Sequence, residues 1–152
     1  MLKLKMYHIP SYFQFYICNP GAASEFLLSD KVQKYIEKNK FASSEDFISV
    51  SVNSEYSEIP IKVEFDQSYI KIKNLKDWDN VIECSLYTKD GKICFEGCGD
   101  DQPFGELNVE PALYRIRIYY GNQDYVSDSG ETNDYYLIQI WPDDNKEIVI
   151  NK

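Results

Sequence analysis

The sequence predicts an all-β domain, a two-sheet antiparallel β-sandwich with one α-helix inserted near residues 29–38. Apolar and polar residues alternate in short runs along most of the chain, which is the pattern of strands that bury one face. Turn-forming residues, such as Asn19-Pro20-Gly21, separate these runs. The 152 residues have the size of one domain and contain no evident linker or repeat, so residues 1–152 are expected to form a single domain.

The strands are predicted from the N-terminus onward by their alternating apolar residues. Those residues are Leu2, Leu4 and Met6; Phe13, Phe15 and Ile17; Ile48, Val50 and Val52; Ile61, Val63 and Phe65; Ile70 and Ile72; Ile82, Cys84 and Leu86; Tyr114, Ile116 and Ile118; Tyr136, Ile138 and Ile140; and Ile148 and Ile150. Asp90-Gly91 predicts a hairpin, because this dipeptide adopts the positive φ angles of a type I′ turn. Each sheet is expected to bury one face and expose the other.

A single segment has helical spacing. Leu28, Val32, Tyr35 and Ile36 recur at three- and four-residue intervals. Ser29 is the expected N-cap, since its hydroxyl can accept a hydrogen bond from a free backbone N–H of the first turn.

The charge of the chain is acidic and unevenly distributed. The chain has 25 acidic and 16 basic residues, a formal net charge of -9. Residues 77–152 contain 16 of the acidic residues and only six of the basic ones, so the negative excess lies in the second half. Such a field repels nucleic acids and anionic membranes and attracts a basic protein.

Two polar loops in the second half concentrate carboxylates. The first, Gly97 to Pro103, contains Asp100 and Asp101, and the second runs from Gly121 to Asn133. They flank the strand of Arg115 and Arg117, so they can lie at opposite ends of it. The two arginines are expected to neutralise carboxylates across the sheet.

No motif in the chain indicates an enzyme. It lacks a nucleophile elbow, a phosphate-binding loop and a dinucleotide fingerprint, and His8 is its only histidine. Cys94 and Cys98 lack the second close pair of a zinc site, and the acidic residues of the second loop depart from calcium-loop spacing. We therefore predict no catalytic residue, metal or cofactor, although a catalytic carboxylate pair remains an open alternative.

The chain is expected to be cytoplasmic. No apolar run approaches the roughly 18 residues of a membrane helix, and Pro10 interrupts the N-terminal segment before it can form a secretory signal. The four cysteines are accordingly expected to be reduced thiols.

Several segments resemble the competence-nuclease inhibitors, the ComJ-type proteins. The resemblance lies in Ser11 to Tyr16, the helical run Leu28 to Lys38 and the segment Phe41 to Val50. Pro111 to Ile116 is similar to a Pro-x-Gly-x-Tyr turn of that family, with Ala112 in place of the glycine, and Tyr135 to Ile138 is similar to a late strand. The resemblance implies a small cytosolic protein that binds and blocks a nuclease, as a competence inhibitor or as an immunity protein against a nuclease toxin.

The predicted function is therefore inhibition of a basic nuclease, or nuclease toxin, by an acidic surface that occludes its active-site cleft. Carboxylates would supply charge, and Tyr120 and Tyr125 would act as anchors. The predicted partner-binding residues are Asp100, Asp101, Tyr120, Asp124, Tyr125, Asp128, Glu131 and Asp134. The alternative is a non-catalytic carbohydrate- or peptide-binding module built on exposed aromatic residues.

Overall fold

The computed structural model describes all residues, 1–152, and contains eleven strands in two packed sheets. The strands are β1 (Leu2–His8), β2 (Gln14–Cys18), β3 (Phe41–Ser43), β4 (Phe47–Ser51), β5 (Ile59–Phe65), β6 (Asn80–Thr88), β7 (Lys92–Gly97), β8 (Gly105–Asn108), β9 (Ala112–Gly121), β10 (Tyr135–Pro142) and β11 (Val149–Ile150). The first sheet has the order β1-β5-β10-β9-β6-β11, and the second has the order β3-β4-β2-β7-β8. The predicted all-β, two-sheet sandwich is confirmed, although one pair of strands, β5 and β10, is parallel.

The core lies between the two sheets and is formed by the residues that alternate along the strands. Its largest cluster contains 22 buried residues from both sheets. Ile17 and Ile48 of the second sheet face Ile116 and Ile138 of the first, and all four are fully buried. Burial of this apolar surface is the main force that holds the sheets together.

The single α-helix, α1 (Asp30–Asn39), follows β2 as predicted, and two short 3-10 helices lie at Glu25–Leu28 and Leu75–Asp77. The Ser29 hydroxyl accepts a hydrogen bond from the backbone N–H of Val32, so the predicted N-cap is confirmed. The helix ends at Lys40, whose left-handed backbone forms the C-cap. No helix of the protein has both the length and the hydropathy that a membrane span requires.

The predicted hairpin at Asp90-Gly91 is wrong, because β6 and β7 belong to different sheets. Gly91 does adopt a positive φ of 69°, so the dipeptide forms a tight turn. That turn carries the chain from the first sheet to the second instead of pairing the flanking strands. Local sequence determines the turn, whereas packing of the two sheets determines the partners of each strand.

The outer face of the first sheet is covered over β9 and its neighbours, whereas Lys5 of β1 and Lys62 of β5 are exposed, so the prediction that each sheet exposes one face holds only at that edge. Arg115 and Arg117 are each 2% exposed, and both bind Glu83 on the neighbouring strand, at 3.1 Å and 3.2 Å. Their predicted pairing with a carboxylate across the sheet is confirmed. Arg117 also donates a hydrogen bond to the carbonyl oxygen of Ile70 at 2.8 Å.

The segment around Ile70 and Ile72 forms part of this cover and is not a strand, so that strand prediction is wrong. Its backbone bonds to side chains of the sheet below: the N–H of Lys73 donates to the Tyr119 hydroxyl at 3.1 Å. Ile72 packs against Val81 and Tyr119. Ile70 and Ile72 alternate with polar residues because one side of this segment packs on the sheet. Its backbone groups bond to side chains of the sheet and not to the backbone of a neighbouring strand.

Candidate protein-binding surface

Four loops meet at one end of the sandwich. In the first sheet, β1 ends where β5 begins, since His8 pairs with Ile59. Because β10 runs parallel to β5 and antiparallel to β9, β10 begins and β9 ends at this same end. In the second sheet, Gln14 at the start of β2 pairs with Ser51 at the end of β4, and Phe15 pairs with Gly97 at the end of β7. We call the resulting loops, residues 9–13, 52–58, 98–104 and 122–134, the apical surface.

Both predicted acidic loops belong to the apical surface. The expectation that they lie at opposite ends of β9 is wrong, because the chain returns through β8 in the second sheet before it enters β9. The loop 98–104 lies at the edge nearest β1, and the loop 122–134 lies above the middle of the first sheet.

The charge of the apical surface is entirely negative. Its four segments contain eight carboxylates and neither lysine nor arginine. These residues are Glu55, Glu58, Asp100, Asp101, Asp124, Asp128, Glu131 and Asp134. None of them takes part in any of the ion pairs of the protein, which involve Asp66, Glu64, Glu106 and Glu83. All but the buried Asp134 are at least partly exposed and therefore present uncompensated charge.

Six of the eight predicted partner-binding residues are exposed at this end. These are Asp100, Asp101, Asp124, Tyr125, Asp128 and Glu131. The Tyr125 side chain is 47% exposed and Val126 beside it is 62% exposed, so the second acidic loop also carries apolar surface.

Tyr120 is not an anchor, which corrects the sequence prediction. Its side chain is fully buried in the core, where it packs against Tyr136 with ring centroids 5.6 Å apart. Its hydroxyl donates a hydrogen bond to the carbonyl oxygen of Lys40 at 2.8 Å, which ties the end of α1 to the first sheet. Tyr120 has the same parity along β9 as the core residues Ile116 and Ile118, and this signal was available in the sequence.

Asp134 is likewise structural and not part of the exposed charge. Its carboxylate is 1% exposed and accepts hydrogen bonds from the Ser54 hydroxyl at 2.6 Å and from the backbone N–H of Asn53 at 3.0 Å. The Tyr136 hydroxyl donates a third at 2.5 Å. Burial by itself raises the pKa of Asp134, but these hydrogen bonds outweigh it and lower the pKa below its ordinary value of 3.8. Asp134 thus joins the segment 52–58 to the loop 122–134.

The loop 98–104 is held against β1 by His8. The imidazole ring stacks on Phe104 with centroids 4.1 Å apart and is buried. A Cβ at Gly97 would lie 2.5 Å from the His8 ring, so the close approach requires glycine. Burial lowers the pKa of His8 below 6.5, although the nearby Asp100 carboxylate acts in the opposite direction.

The apical surface contains exposed aromatic residues that the sequence analysis did not select. Tyr12 is 70% exposed, Phe13 51% and Tyr56 71%. The Glu55 carboxylate raises the pKa of Tyr56, and burial and Tyr12 contribute less. The Tyr56 N–H donates to the Pro10 carbonyl oxygen, so the segments that carry Tyr56 and Tyr12 lie side by side. The alternating pattern placed Phe13 on the buried face because it has the same parity in sequence as Phe15 and Ile17. A warning was available in Pro10, which interrupts the chain just before this turn.

Two grooves lie beside these loops. One of about 370 Å³ runs from Tyr12 along the outer face of the second sheet, past Tyr16, Leu28 and Cys98. The other, of about 510 Å³, lies on the first sheet and is lined by Lys5, Lys62, Lys73, Glu64, Trp78 and Tyr135, among others. No group of three or more His, Cys, Asp and Glu side chains is arranged to hold a metal ion.

The geometry describes a β-sandwich with an acidic, aromatic loop surface, and solved structures share its fold. The crystal structure of ComJ, inhibitor of the DNA-degrading activity of NucA, from Bacillus subtilis, aligns with a TM-score of 0.65. The sequences are 15% identical, and the alignment covers 94% of this chain and 96% of that one. The predicted resemblance to ComJ-type proteins is thereby confirmed at the level of the fold.

A second structure, described as crocagin biosynthetic gene J, aligns with a TM-score of 0.51 at 15% identity and covers 94% of this chain and 99% of its own. No protein-family model and no curated protein sequence matches the chain. At this identity the two structures define the fold of the protein, and its function must be argued from its own surface.

Proposed function

We propose that this protein is a non-catalytic inhibitor of a nuclease, which it binds through the apical surface. The observation that carries the proposal is the composition of that surface: seven exposed or partly exposed carboxylates and no lysine or arginine in four adjoining loops. A nuclease holds a polyanion and therefore has a basic cleft, to which such a surface is electrostatically complementary. The shared fold with a nuclease inhibitor supports the same partner class.

The inhibition is occlusion of the cleft. The long-range field of the carboxylates accelerates the encounter with a cationic protein, and the loops then cover the site that would bind the nucleic acid backbone. The partner is accordingly a basic nuclease, either a competence nuclease or a nuclease toxin, and the site of action is the cytoplasm. Asp100, Asp101, Asp124, Asp128 and Glu131 supply the field, and Tyr125 contributes contact area.

The proposal is tested by inhibition of DNA or RNA degradation. The protein is titrated into NucA of Bacillus subtilis and into any nuclease encoded beside its own gene, and residual activity and association rates are measured. We expect stoichiometric inhibition, with an association rate that falls at least about tenfold between about 30 mM and about 300 mM salt. Full activity of every nuclease in excess inhibitor contradicts the proposal.

Charge-reversal variants localise the interaction. Asp100→Lys with Asp101→Lys, and separately Asp124→Lys with Asp128→Lys, are expected to slow association and to flatten its salt dependence. The matched control is Glu110→Lys with Asp144→Lys, which makes the same change of charge at exposed residues of the opposite end. Equal effects of all three variants would show that net charge, and not the apical surface, controls binding.

A second candidate function is binding of a carbohydrate or peptide in the groove of the first sheet. Lys5 and Lys62 are paired across β1 and β5 with no carboxylate partner, and Trp78 and Tyr135 form an aromatic wall. Titration with poly-glutamate peptides and neutral oligosaccharides tests it through Trp78 fluorescence, since the other tryptophan, Trp141, is buried. A signal that Lys5→Ala and Lys62→Ala weaken supports peptide binding; an unchanged spectrum contradicts this candidate.

A further inference from the structure

Three aromatic residues of the apical surface have a backbone conformation that aromatic residues rarely adopt. Tyr12, Phe13 and Tyr56 have φ angles of 58°, 56° and 65°, in the left-handed region. In this region the Cβ atom of an L-residue crowds the following carbonyl oxygen, so glycine, asparagine and aspartate are the usual occupants. Such backbone strain is often found at binding sites.

The stability of the fold does not explain why aromatic residues occupy these three positions. The two other non-glycine residues with positive φ have ordinary reasons, since Lys40 caps the C-terminus of the helix and Asn122 is of a residue type that tolerates the conformation. Tyr12, Phe13 and Tyr56, in contrast, are each at least half exposed, so core packing does not compensate for their strain. Glycine at these positions would fold with less strain.

The strained turns are held rigidly from below. The backbone N–H of Tyr56 donates to the Pro10 carbonyl oxygen at 2.9 Å, and the N–H of Val52 donates to the Phe13 carbonyl oxygen at 2.9 Å. These bonds join the segments 9–13 and 52–58, and Asp134 fixes the latter through Asn53 and Ser54. The backbone that carries the three rings is therefore ordered before any partner arrives, which reduces the entropy lost on binding.

The surroundings of the rings indicate the kind of surface they fit. Glu55 and Glu58 lie in the same segment as Tyr56, and the two acidic loops lie beside it. Tyr12 forms one wall of the 370 Å³ groove, whose rim includes Leu28, the most exposed large apolar side chain at 82%. An apolar centre within a carboxylate rim is complementary to an apolar pocket surrounded by lysines and arginines.

We infer that Tyr12, Phe13 and Tyr56 form the apolar anchor of the nuclease-binding surface, and that the carboxylates form its rim. This inference rests on the proposed function and assigns slow dissociation to the aromatic residues and fast association to the carboxylates. Anchors control how slowly a complex dissociates, whereas peripheral charges control how fast it forms. The partner surface contains an apolar pocket that accepts two or three aromatic rings.

The test separates the side chain from the backbone strain at Tyr12 and Tyr56. Alanine removes the ring and keeps the strain, whereas glycine removes both. Binding of each variant to NucA or to the nuclease encoded beside its gene, whichever the wild type inhibits, is measured by surface plasmon resonance, and stability by urea unfolding without any partner. We expect both substitutions at either position to weaken binding at least about 30-fold through faster dissociation, with the salt dependence unchanged.

Stability is expected to respond differently. The glycine variants should keep or raise the urea midpoint of the wild type, because they relieve the strained backbone. Tyr12→Phe should bind like the wild type, and Tyr87→Ala, which truncates an exposed tyrosine of β6, should change nothing in binding.

The outcomes distinguish this inference from the proposed function. If the wild type inhibits one of these nucleases and the alanine and glycine variants bind it equally well, the anchor is refuted while the inhibitor remains. A lowered urea midpoint in both glycine variants also refutes the anchor, since the turns would then serve folding. If the wild type inhibits neither nuclease, the inhibitor proposal fails, and the anchor fails with it.

Discussion

Replacing Asp134 with asparagine is expected to destabilise the fold beneath the apical surface. The buried carboxylate accepts three hydrogen bonds, from Asn53, Ser54 and Tyr136. Asn53 and Tyr136 both donate to Oδ2, so an asparagine oxygen in that place keeps them and its NH₂ group faces the Ser54 hydroxyl. A lost hydrogen bond to a charged acceptor costs about 1.5–3 kcal/mol, and a buried donor without a partner costs about 1–3 kcal/mol.

The expected loss in the free energy of unfolding is about 2 kcal/mol, because the hydrogen bond from Ser54 loses its acceptor and those from Asn53 and Tyr136 weaken to a neutral one. For a domain of this size, that corresponds to a thermal midpoint lowered by about 4–8 °C. Thermal and urea unfolding at pH 7, followed by tryptophan fluorescence, measure the change. Asp124→Asn is the matched control, since Asp124 is an exposed carboxylate of the same loop and should alter stability by less than about 0.5 kcal/mol.

The effect of Asp134→Asn also has a defined pH dependence. Because the folded-state pKa of Asp134 is lowered, the folded protein binds this proton less readily than the unfolded chain. The stabilising contribution is therefore complete above the ordinary value of 3.8 and is lost as the pH falls through the folded-state pKa. The difference between wild type and variant should shrink below about pH 4. A variant as stable as the wild type at pH 7, or a difference that persists unchanged in acid, would refute this account of Asp134.

Three further predictions concern buried groups elsewhere. Glu83→Gln should lower the free energy of unfolding by about 3 kcal/mol in urea unfolding, because it leaves two buried arginines without their carboxylate. The control Glu106→Gln breaks an exposed ion pair and should change the free energy of unfolding by less than about 0.5 kcal/mol. Because the pKa of His8 is lowered, the contribution of the neutral His8 ring to stability is complete above pH 6.5 and is lost as the pH falls. The thermal midpoint of His8→Phe should therefore fall less than that of the wild type between about pH 7 and 5, and equal losses would contradict this. Tyr120→Phe should cost about 1 kcal/mol through its lost bond to Lys40 and leave nuclease inhibition intact, and impaired inhibition in a folded variant would restore Tyr120 as an anchor.

The strands and the helix could be predicted because their signals are local. Alternation in β9 and β10 reflects burial of one face against the other sheet. Ser29 caps α1 by a hydrogen bond to Val32, only three residues further along the chain. The same alternation misassigned the segment at Ile70 and Ile72, where side chains of the sheet supply the hydrogen bonds that a neighbouring strand would supply. Periodicity shows that one face is covered, and it does not show what covers it.

The candidate site could be predicted only in part, because its charge is readable in the sequence and its assembly is not. The exposed aspartates of both loops were selected from composition alone, whereas their meeting at one end depends on the parallel pairing of β10 with β5. The turn at Tyr12 and Phe13 was not predicted, because the alternating pattern of β2 extends back through them. Their residue types also give no sign of a left-handed backbone. Tyr120 and Asp134 were misassigned because they border the acidic loop in sequence, although each has the same parity as the core residues of β9 or β10.

Hydrogen–deuterium exchange with and without the nuclease that the protein inhibits tests the central claim most directly, because it locates the contact without any substitution. Binding through the apical surface predicts slowed exchange in residues 9–13, 52–58, 98–104 and 122–134, with unchanged exchange in the turns around residues 89–91 and 109–111 at the opposite end. Protection confined to that opposite end, or to the lysine-lined groove of the first sheet, would contradict the account.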